Sequence, residues 1–285
     1  MTGRAQPARG ALAAGERVLL VDPKQRRYLV TLAPGAQFHT HSGILAHDDV
    51  LGRPEGSTVA ASTGRRFVVL RPTLADVVLK MPRGAQVIYP KDLGAILLAA
   101  DVGPGMRVLE AGVGSGALSM ALLRTGAEVV GYEVRADFAA RARDNVAAWA
   151  GPDARYRVEE RDVYEGIDEQ SLDRVVLDLP EPWRALGPLA GALRPGGIVL
   201  AYVPSVTQVA TLRAALARRP FGMAETFEVL RRTWHVEERS VRPDHRMVAH
   251  TGFLTTARLL VPEADLDGGA PDTAQGERPG AGDPP

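Results

Sequence analysis

The fold is decided by one stretch near the middle of the chain, Val108-Leu109-Glu110-Ala111-Gly112-Val113-Gly114-Ser115-Gly116-Ala117. Its apolar start predicts a buried strand, and its last residue opens a predicted helix. Glycines let the backbone approach a ligand closely, and a helix N-terminus offers free N–H groups at the positive end of the helix dipole. The stretch therefore predicts a site for a nucleotide-like ligand.

Alternating strand and helix patterns surround this turn. A helix is predicted to open near Asp92, and further helices are predicted at 117–125, 136–150 and 206–218, between strands at 106–110, 128–133, 156–159, 174–179 and 197–203. Strands such as Val175-Val176-Leu177 are apolar on both faces, which is typical of a parallel sheet covered by helices on both sides. Residues 89–261 are therefore predicted to form an α/β domain.

The regions outside that domain have different patterns. Residues 15–88 contain short strand-like segments, including Val77–Leu79, separated by turns such as Pro34-Gly35, and they predict a small all-β domain. Residues 1–14 are predicted to be a flexible N-terminus. Residues 262–285 hold 10 Gly or Pro among 24 positions and predict a disordered acidic tail, because they cannot bury enough apolar surface to offset the entropy of ordering.

Composition excludes several classes of protein. With 285 residues, of which 45% are hydrophobic, the chain can bury a real core, so a fibrous or wholly disordered protein is excluded. The absence of cysteine excludes thiolate metal sites and cysteine nucleophiles. No apolar run approaches the roughly 20 residues of a membrane span, and no signal-peptide core is present, so we expect a cytoplasmic protein without a membrane partner. His39, His41 and His47 are close in sequence, but no residues at ligand spacing complete a metal site.

Charge is distributed unevenly although the net charge is zero. Residues 1–92 hold 13 Lys or Arg against 7 Asp or Glu, whereas residues 262–285 hold 1 against 6. Attraction to phosphate acts within a Debye length, so a basic N-terminal third favours a polyanionic partner more than the net charge does. An ordinary solvated surface remains the alternative on charge alone.

Two carboxylates narrow the choice of ligand. The spacing Gly112-x-Gly114-x-x-Ala117 also fits a dinucleotide fingerprint, and Glu133, at the end of the next predicted strand, would accept from ribose hydroxyls in either case. Glu110 is different, because it would attract a cationic ammonium or sulfonium and repel a pyrophosphate. The pattern favours S-adenosylmethionine, with the candidate contacts Glu110, Gly112, Gly114, Ser115, Gly116, Ala117 and Glu133.

Further acids follow two later predicted strands. Asp162 and Val163 come after the strand at 156–159, where an acid can accept from the adenine amine of a cofactor, although an aspartate in a loop is often a turn residue. Asp178 ends a buried strand and begins Asp178-Leu179-Pro180-Glu181-Pro182-Trp183. Open α/β sheets bind ligands at the carboxyl ends of their strands, so Asp178 is a candidate for the site.

In combination, these residues resemble class I S-adenosylmethionine-dependent methyltransferases, and more narrowly the tRNA (adenine-N1)-methyltransferases that act at position 58 of the T-loop. The resemblance is strongest to bacterial, particularly actinobacterial, members and covers roughly residues 15–261. The narrower resemblance rests on Ile88-Tyr89-Pro90-Lys91-Asp92, on Ala201-Tyr202-Val203-Pro204-Ser205-Val206-Thr207-Gln208-Val209, and on Arg242-Pro243-Asp244-His245-Arg246-Met247-Val248-Ala249-His250-Thr251-Gly252-Phe253-Leu254.

The resemblance implies a Rossmann-like catalytic domain, a small N-terminal β domain that contacts RNA, and a homotetramer that holds tRNA with more than one subunit. It implies cofactor contacts from Gly114–Ala117, Glu133, Asp162 and Asp178. A further family contact falls on Phe138, where many relatives have a polar residue or histidine, so only an apolar contact with adenine is expected there.

Adenine N1 carries its own lone pair, so its methylation needs no thiol and is expected to be a direct displacement on the sulfonium. We expect Asp178 to be the catalytic residue, accepting from the exocyclic amine of the target base. The predicted substrate contacts are Tyr89 and Tyr202, which would stack on a flipped base, and Arg242, His245 and His250 at the rim. The alternatives are another class I methyltransferase with a protein or small-molecule acceptor, a nicotinamide-dependent dehydrogenase, and a non-catalytic RNA-binding protein.

Overall fold

The computed structural model describes residues 10–41, 43–84 and 86–261. The predicted acidic tail and residues 1–9 of the predicted flexible N-terminus lie outside these ranges. Within the described ranges, no helix is long and apolar enough to cross a membrane.

Six strands build the N-terminal unit within the described residues. They are β1 (Arg17–Val21), β2 (Arg27–Thr31), β3 (Gln37–Thr40), β4 (Gly43–Ala46), β5 (Thr58–Ala60) and β6 (Arg66–Leu70). Four of them form an antiparallel sheet in the order β2-β1-β6-β5, and β3 and β4 form a separate hairpin. Leu20, Leu45 and Phe67 are buried in a core that this unit has to itself. The predicted small β unit is confirmed.

The predicted strand at Val77–Leu79 is wrong, because these residues belong to helix α1 (Leu74–Lys80). Thr73 begins the helix: its hydroxyl accepts from the Asp76 backbone N–H, and Asp76 accepts from the Thr73 backbone N–H in return. This capping box outweighs the strand preference of the two valines. Val77 and Val78 pack into the core of the following domain, not into that of the β unit.

The second domain alternates helices and strands. Its elements are α2 (Pro90–Ala99), β7 (Arg107–Ala111), α3 (Ala117–Arg124), β8 (Glu128–Glu133), α4 (Ala136–Ala150), β9 (Tyr156–Glu160), β10 (Leu172–Leu177), α5 (Leu186–Ala192), β11 (Leu193–Val203), α6 (Val206–Leu216), β12 (Phe221–Glu228), β13 (Trp234–Glu237), β14 (Ser240–Pro243) and β15 (Phe253–Leu259). Helix α2 begins at Pro90 instead of near Asp92, because proline is favoured in a first helical turn. Asp92 is consequently buried inside that turn.

Seven of these strands form one sheet in the order β12-β15-β11-β10-β7-β8-β9. The five strands from β11 to β9 are parallel, and β15 pairs antiparallel with both β11 and β12. The chain moves outward from β7 in one direction through β8 and β9, and in the other through β10 and β11. The carboxyl ends of β7 and β10 therefore flank the switch point, where sheets of this kind bind ligands.

Helices cover both faces of this sheet. Along β7, Val108 points into a core shared with α2 and α3, whereas Leu109 points into a core shared with α5 and α6. On β10, Val176 likewise points into the core shared with α2 and α3, and Val175 into the core shared with α5 and α6. Because both faces of each central strand are buried, the predicted α/β layering is confirmed.

Candidate active site

The glycine-rich turn lies directly after β7. The Gly112 N–H donates to the Tyr132 carbonyl of β8 at 3.0 Å, and Gly116 is the N-cap of α3. Gly116 has φ +81°, and a side chain there would meet Val146 of α4 at 3.1 Å. The turn thus carries the chain from the strand to the helix within a few residues, as the sequence predicts.

The turn touches the end of β10 at one point. The Asp178 N–H donates to the Ala111 carbonyl at 2.9 Å. At Gly112, whose φ is +84°, an added Cβ would lie 2.1 Å from the Asp178 carbonyl oxygen. Only glycine allows this approach, so the position of Asp178 depends on the residue at 112.

Glu110 lies beneath the turn and is fully buried. Its Oε2 accepts from the Ser119 hydroxyl of α3 at 2.5 Å, and that hydroxyl lies 3.0 Å from the hydroxyl of Tyr156. Its Oε1 has no hydrogen-bond partner among the described residues. Burial, together with the charges of Asp178 and Glu133, raises the pKa of Glu110 to about 8 against the opposing hydrogen bond from Ser119.

Glu133 joins the end of β8 to the glycine turn. Its Oε2 accepts from the Gly114 N–H at 2.9 Å, and its Oε1 accepts from the Arg135 N–H at 3.0 Å. The side chain is mostly buried. Two backbone donors thus hold its carboxylate at the edge of the turn in one orientation.

A small cleft brings the central residues together. It is lined by Gln86, Val87, Ile88, Glu110, Gly112, Val113, Gly114, Ser115, Ala117, Leu118 and Asp178. The Ser115 hydroxyl is buried without a partner among the described residues. Burial, together with the negative charge of Glu133, raises the pKa of Asp178 to about 7. The cleft therefore places two carboxyl groups with raised pKa values beside the buried Ser115 hydroxyl.

Several predicted cofactor residues lie outside the lining of this cleft. Phe138 is buried at the start of α4, with the Arg135 guanidinium 3.8 Å from its ring centroid. Asp162 accepts from the Tyr164 N–H at 2.9 Å in a turn after β9. Val163 is buried in the core. Asp162 and Val163 follow β9, which is the neighbour of β8 in the sheet. They therefore lie at the same carboxyl edge of the sheet as Glu133, which ends β8.

Of the two tyrosines predicted to stack on a base, Tyr202 lies beside Asp178, because Leu177 of β10 pairs with Ala201 of β11. Tyr202, on β11, is mostly buried, and burial raises its pKa to about 12. The charges of Asp92 and Asp178 and the phenol of Tyr89 all act on it. Tyr89 is the N-cap of α2 and is partly exposed.

The three predicted rim residues are more scattered. Arg242 lies on β14, and its side chain contacts the Pro243 carbonyl at 3.4 Å. His245 is exposed in the segment after β14. His250 lies at the carboxyl end of β11, between Glu228 Oε2 at 2.9 Å and the Pro204 carbonyl at 3.0 Å. The hydrogen bond to the Glu228 carboxylate, and to a smaller extent the one to the Pro204 carbonyl, raises the pKa of His250.

Sequence reasoning missed some residues of the site. Gln86 and Val87 form one wall of the cleft, and Ser119 and Tyr156 support Glu110 from behind. The sequence indicates Ile88 only as part of a family motif and not as a residue of the cleft. The position of Ser119 on the helix after the glycine turn was the one available signal.

No metal centre is found in the described part of the chain, where no group of three or more His, Asp or Glu side chains is arranged to hold an ion. His47 instead accepts from the Ala33 N–H through Nδ1 at 3.1 Å.

The strand order, the glycine turn at the sheet switch and the buried acids together define a Rossmann-like methyltransferase. Two family models match the chain: "tRNA methyltransferase complex GCD14 subunit" over residues 66–245 and "TrmI-like N-terminal" over residues 10–59. The chain belongs to the GCD14/TrmI family of tRNA methyltransferases. The resemblance found in the sequence is confirmed.

Individual relatives agree with this assignment. The tRNA (adenine(58)-N(1))-methyltransferase TrmI of Thermus thermophilus is 40% identical over 245 residues, which cover 85% of this chain and 96% of the relative. A crystal structure of a SAM-dependent O-methyltransferase from Thermotoga maritima superimposes with a TM-score of 0.85 at 34% identity, covering 89% of this chain and 96% of that one. The tRNA (m1A58) methyltransferase TrmI of Aquifex aeolicus gives 0.79 at 30% identity, with 88% and 100% covered.

The close approach at Gly112 leads to a first prediction. Gly112→Ala is expected to displace the Asp178 backbone and abolish binding of S-adenosylmethionine, measured by titration calorimetry. Gly105→Ala is the matched control, because Gly105 also has a positive φ, +75°, but its side chain would meet nothing within 4 Å. The control should lose only about 1 kcal/mol of unfolding free energy and bind normally. Equal binding by both variants would refute the steric argument.

Glu110 leads to a second prediction, on stability. Its pKa is raised from 4.5 to about 8, so between these values the unfolded chain releases the proton while the folded chain keeps it. The free energy of unfolding must therefore fall as pH rises through this interval. Glu110→Gln removes the titrating group and with it this loss of stability. In thermal unfolding without ligand, the melting temperature of the variant should therefore increase relative to that of the wild type as pH rises from 5 to 8.

Glu169→Gln is the control for this series. Glu169 is also buried, but its hydrogen bonds from Tyr132 and Arg157 lower its pKa despite burial, so the substitution should destabilise the protein at neutral pH. A constant difference between Glu110→Gln and wild type across the range would show that Glu110 does not titrate there.

Proposed function

We propose that this protein transfers a methyl group from S-adenosylmethionine to N1 of adenine 58 in the T-loop of tRNA. The observation that carries the proposal is the shared cleft of Glu110 and Asp178, which provides one acid for a cationic cofactor and another for the target base. Similarity along most of the chain to an enzyme named for this reaction supports the choice of acceptor.

The residues present fit S-adenosylmethionine. Oε1 of Glu110 is buried, unpartnered and in the cleft wall, so it has a hydrogen-bond position for a positively charged group. Glu133 would accept from the ribose hydroxyls, and Asp162, Val163 and Phe138 would surround the adenine. When bound, the cofactor supplies an electrophilic methyl group on a positively charged sulfur. The Ser115 hydroxyl, which is buried without a partner among the described residues, offers a further donor.

The charge of the cleft disfavours the dinucleotide alternative. Glu110 and Asp178 line one cleft, and Glu133 is bonded to Gly114 at its edge. The charges of Asp178 and Glu133 raise the pKa of Glu110, and the charge of Glu133 raises the pKa of Asp178. A pyrophosphate would add two negative charges to this group at low local dielectric. A cation relieves the repulsion instead, so a nicotinamide-dependent dehydrogenase does not fit this site.

Asp178 would orient the target adenine. Its ionised carboxylate accepts from the exocyclic amine and turns N1 toward the methyl donor. The lone pair of N1 forms the new bond to carbon as the carbon–sulfur bond breaks, and the positive charge moves to the base. Asp178 then stabilises that charge. Because burial raises the pKa of Asp178 to about 7, kcat/KM should rise as pH increases through that value.

The target base must leave the tRNA fold to reach the cleft. Base flipping costs a few kcal/mol, which aromatic stacking in the enzyme offsets. Tyr89 and Tyr202 would provide that stacking. Arg242, His245 and His250 would contact the RNA at the rim, and the N-terminal unit predicted at residues 15–88, with its excess of basic residues, would bind phosphates. The predicted cytoplasmic location is part of this proposal, because tRNA is the substrate.

Self-association as a homotetramer is part of the same proposal. The hairpin of β13 and β14 exposes apolar side chains: Trp234 is 56% exposed, Val236 69% and Val241 64%. Val236 and Val241 are directly paired across the hairpin. Adjacent exposed apolar residues mark interaction sites, and a second copy of the chain would cover them.

The reaction is tested by mass spectrometry of nucleosides. Unmodified tRNA transcripts, wild type and with adenine 58 replaced, are incubated with the protein and labelled S-adenosylmethionine. We expect labelled 1-methyladenosine only from the wild-type transcript. Label on another nucleoside, or none despite cofactor binding, would refute the proposal and point to a protein or small-molecule acceptor.

Asp178→Ala is examined in the same assay. It should abolish turnover, because the base loses its orienting acceptor, while S-adenosylmethionine binding is weakened but measurable. Asp173→Ala serves as the control, because Asp173 lies at the opposite end of β10 and pairs with Arg194 at 2.6 Å. Turnover near wild type in Asp178→Ala would remove Asp178 from the mechanism.

The tetramer is tested by sedimentation of a Val236→Asp, Val241→Asp double variant. Charges on both sides of the hairpin should lower the measured mass below that of a tetramer, because they would be buried unpaired at the interface. Leu98→Asp is the control, since Leu98 is also an exposed apolar residue, 84% exposed, but belongs to α2 and not to the hairpin. A tetramer that persists in the double variant would exclude the hairpin as the contact.

A further inference from the structure

The N-terminus of α2 contains a buried ion pair that the proposed chemistry does not use. Lys91 Nζ lies 2.8 Å from Asp92 Oδ1, with the lysine side chain 5% exposed and the aspartate side chain fully buried. Replacing a buried ion pair by apolar residues is often neutral or stabilising, because desolvation cancels much of the attraction. A contribution to overall stability therefore does not explain why this ion pair is present. The residues that it contacts suggest another role.

The pair belongs to a closed cluster with Thr251. Besides Asp92, the Lys91 ammonium donates to the Val229 carbonyl at 2.6 Å and to the Thr251 hydroxyl at 2.6 Å. The Thr251 hydroxyl donates in turn to Asp92 Oδ2 at 2.7 Å. All three ammonium hydrogens and both carboxylate oxygens are thus engaged. The cluster links α2, the end of β12 and the segment before β15, which are far apart in sequence.

The cluster lies directly against Tyr202. Thr251 immediately precedes the residue that touches the Tyr202 ring. The next residue, Gly252, is so close that an added Cβ would lie 2.4 Å from Cζ and 2.7 Å from the hydroxyl of that ring. The backbone at 251 and 252 therefore forms a wall against which the ring rests, and Lys91 and Asp92 hold that wall in place.

The same cluster bears on the other residues proposed to meet the base. Tyr89 precedes the ion pair by one residue and is the N-cap of the helix that carries it. Leu177 of β10 pairs with Ala201 of β11, so the residues that follow them, Asp178 and Tyr202, lie side by side at the same edge of the sheet. A shift of the wall at Thr251 would alter the position of Tyr202 relative to both Tyr89 and Asp178.

We propose that Lys91, Asp92 and Thr251 are positioning residues that set the orientation of Tyr202, and with it the stacking site for the target adenine beside Asp178. None of the three touches the base or the cofactor. They act through the ring of Tyr202 and through the N-terminus of α2. This inference rests on the proposed function, since it concerns how the acceptor base is held.

The test compares Thr251→Val, Thr251→Ser and Thr255→Val in the full chain. The valine at 251 keeps the size of the side chain but removes its hydroxyl, and the serine restores the hydroxyl. Thr255→Val is the matched control, because Thr255 is equally a threonine of the same region, is buried, and hydrogen-bonds with Thr226 at 2.9 Å away from the cluster. The readouts are kcat, KM for tRNA, the Kd of S-adenosylmethionine and the melting temperature.

Thr251→Val should lower kcat by about tenfold or more, because small errors in orientation are costly to rate. Its Kd for S-adenosylmethionine should stay within about twofold of wild type, since none of the cluster's hydrogen bonds involves Glu110, Glu133 or the glycine turn. Thr251→Ser should recover most of the rate. Thr255→Val should lower the melting temperature by a similar amount and leave kcat nearly unchanged. Equal rate losses at 251 and 255, or no recovery by serine, would overturn the inference.

A second measurement does not depend on turnover. A tRNA with 2-aminopurine at position 58 reports stacking of that base through its fluorescence when the protein is bound. Thr251→Val should change the fluorescence of the bound RNA relative to wild type and Thr255→Val, and unchanged fluorescence would overturn the inference. A wild-type protein that fails to methylate adenine N1 would refute the proposed function instead, so the two failures are distinguishable.

Discussion

The approach of the Gly112 backbone to the Asp178 carbonyl is the constraint on which the site depends. The Asp178 N–H is tied to Ala111, and the missing side chain at 112 allows the two strand ends to meet. The glycine turn that would hold the cofactor and the acid that would hold the base are consequently parts of one rigid contact. Orientation of two reactants is a large source of rate, and here the central pair of parallel strands provides it.

This contact has an electrostatic cost. It brings Glu110 and Asp178 into one partly dehydrated cleft beside Glu133. The negative charge of Glu133 opposes the ionisation of both, and that of Asp178 also opposes the ionisation of Glu110. Without a ligand, burial favours the protonated forms of Glu110 and Asp178. A cationic ligand would reverse that preference, because it restores the attraction that water supplied before folding. The repulsion that destabilises the free protein therefore favours the binding of a positively charged ligand in the cleft.

The sequence predicts well what is local. The bounds of β8 and α4 agree with the expected 128–133 and 136–150, and the glycine turn lies where expected, because each has its own pattern of apolar residues and caps. Val77–Leu79 was predicted as a strand because three apolar residues do not distinguish a strand from one turn of helix, and the Thr73 cap decided for the helix.

Residues joined by tertiary contacts were beyond such reasoning. Ser119 supports Glu110 only because α3 folds back over β7, and Lys91 reaches Thr251 across 160 positions of sequence. Lys91 and Thr251 each belong to a motif of the family resemblance, but nothing in either motif indicates that the two residues are in contact. Their shared role follows from the order of strands in the sheet, which single-sequence patterns do not specify.

The position of β15 has a consequence for how the protein is made. This strand is the last of the described chain, yet it lies between β11 and β12 and is the only partner of β12 in the sheet. On a ribosome, β12 must wait with open hydrogen-bonding edges until residue 259 has emerged, and β11 waits with it. The segment at 251 and 252 arrives with the same strand. The enzyme therefore cannot acquire a formed acceptor site before its sheet is complete, and a chain shortened within β15 would expose two unpaired edges to neighbouring chains.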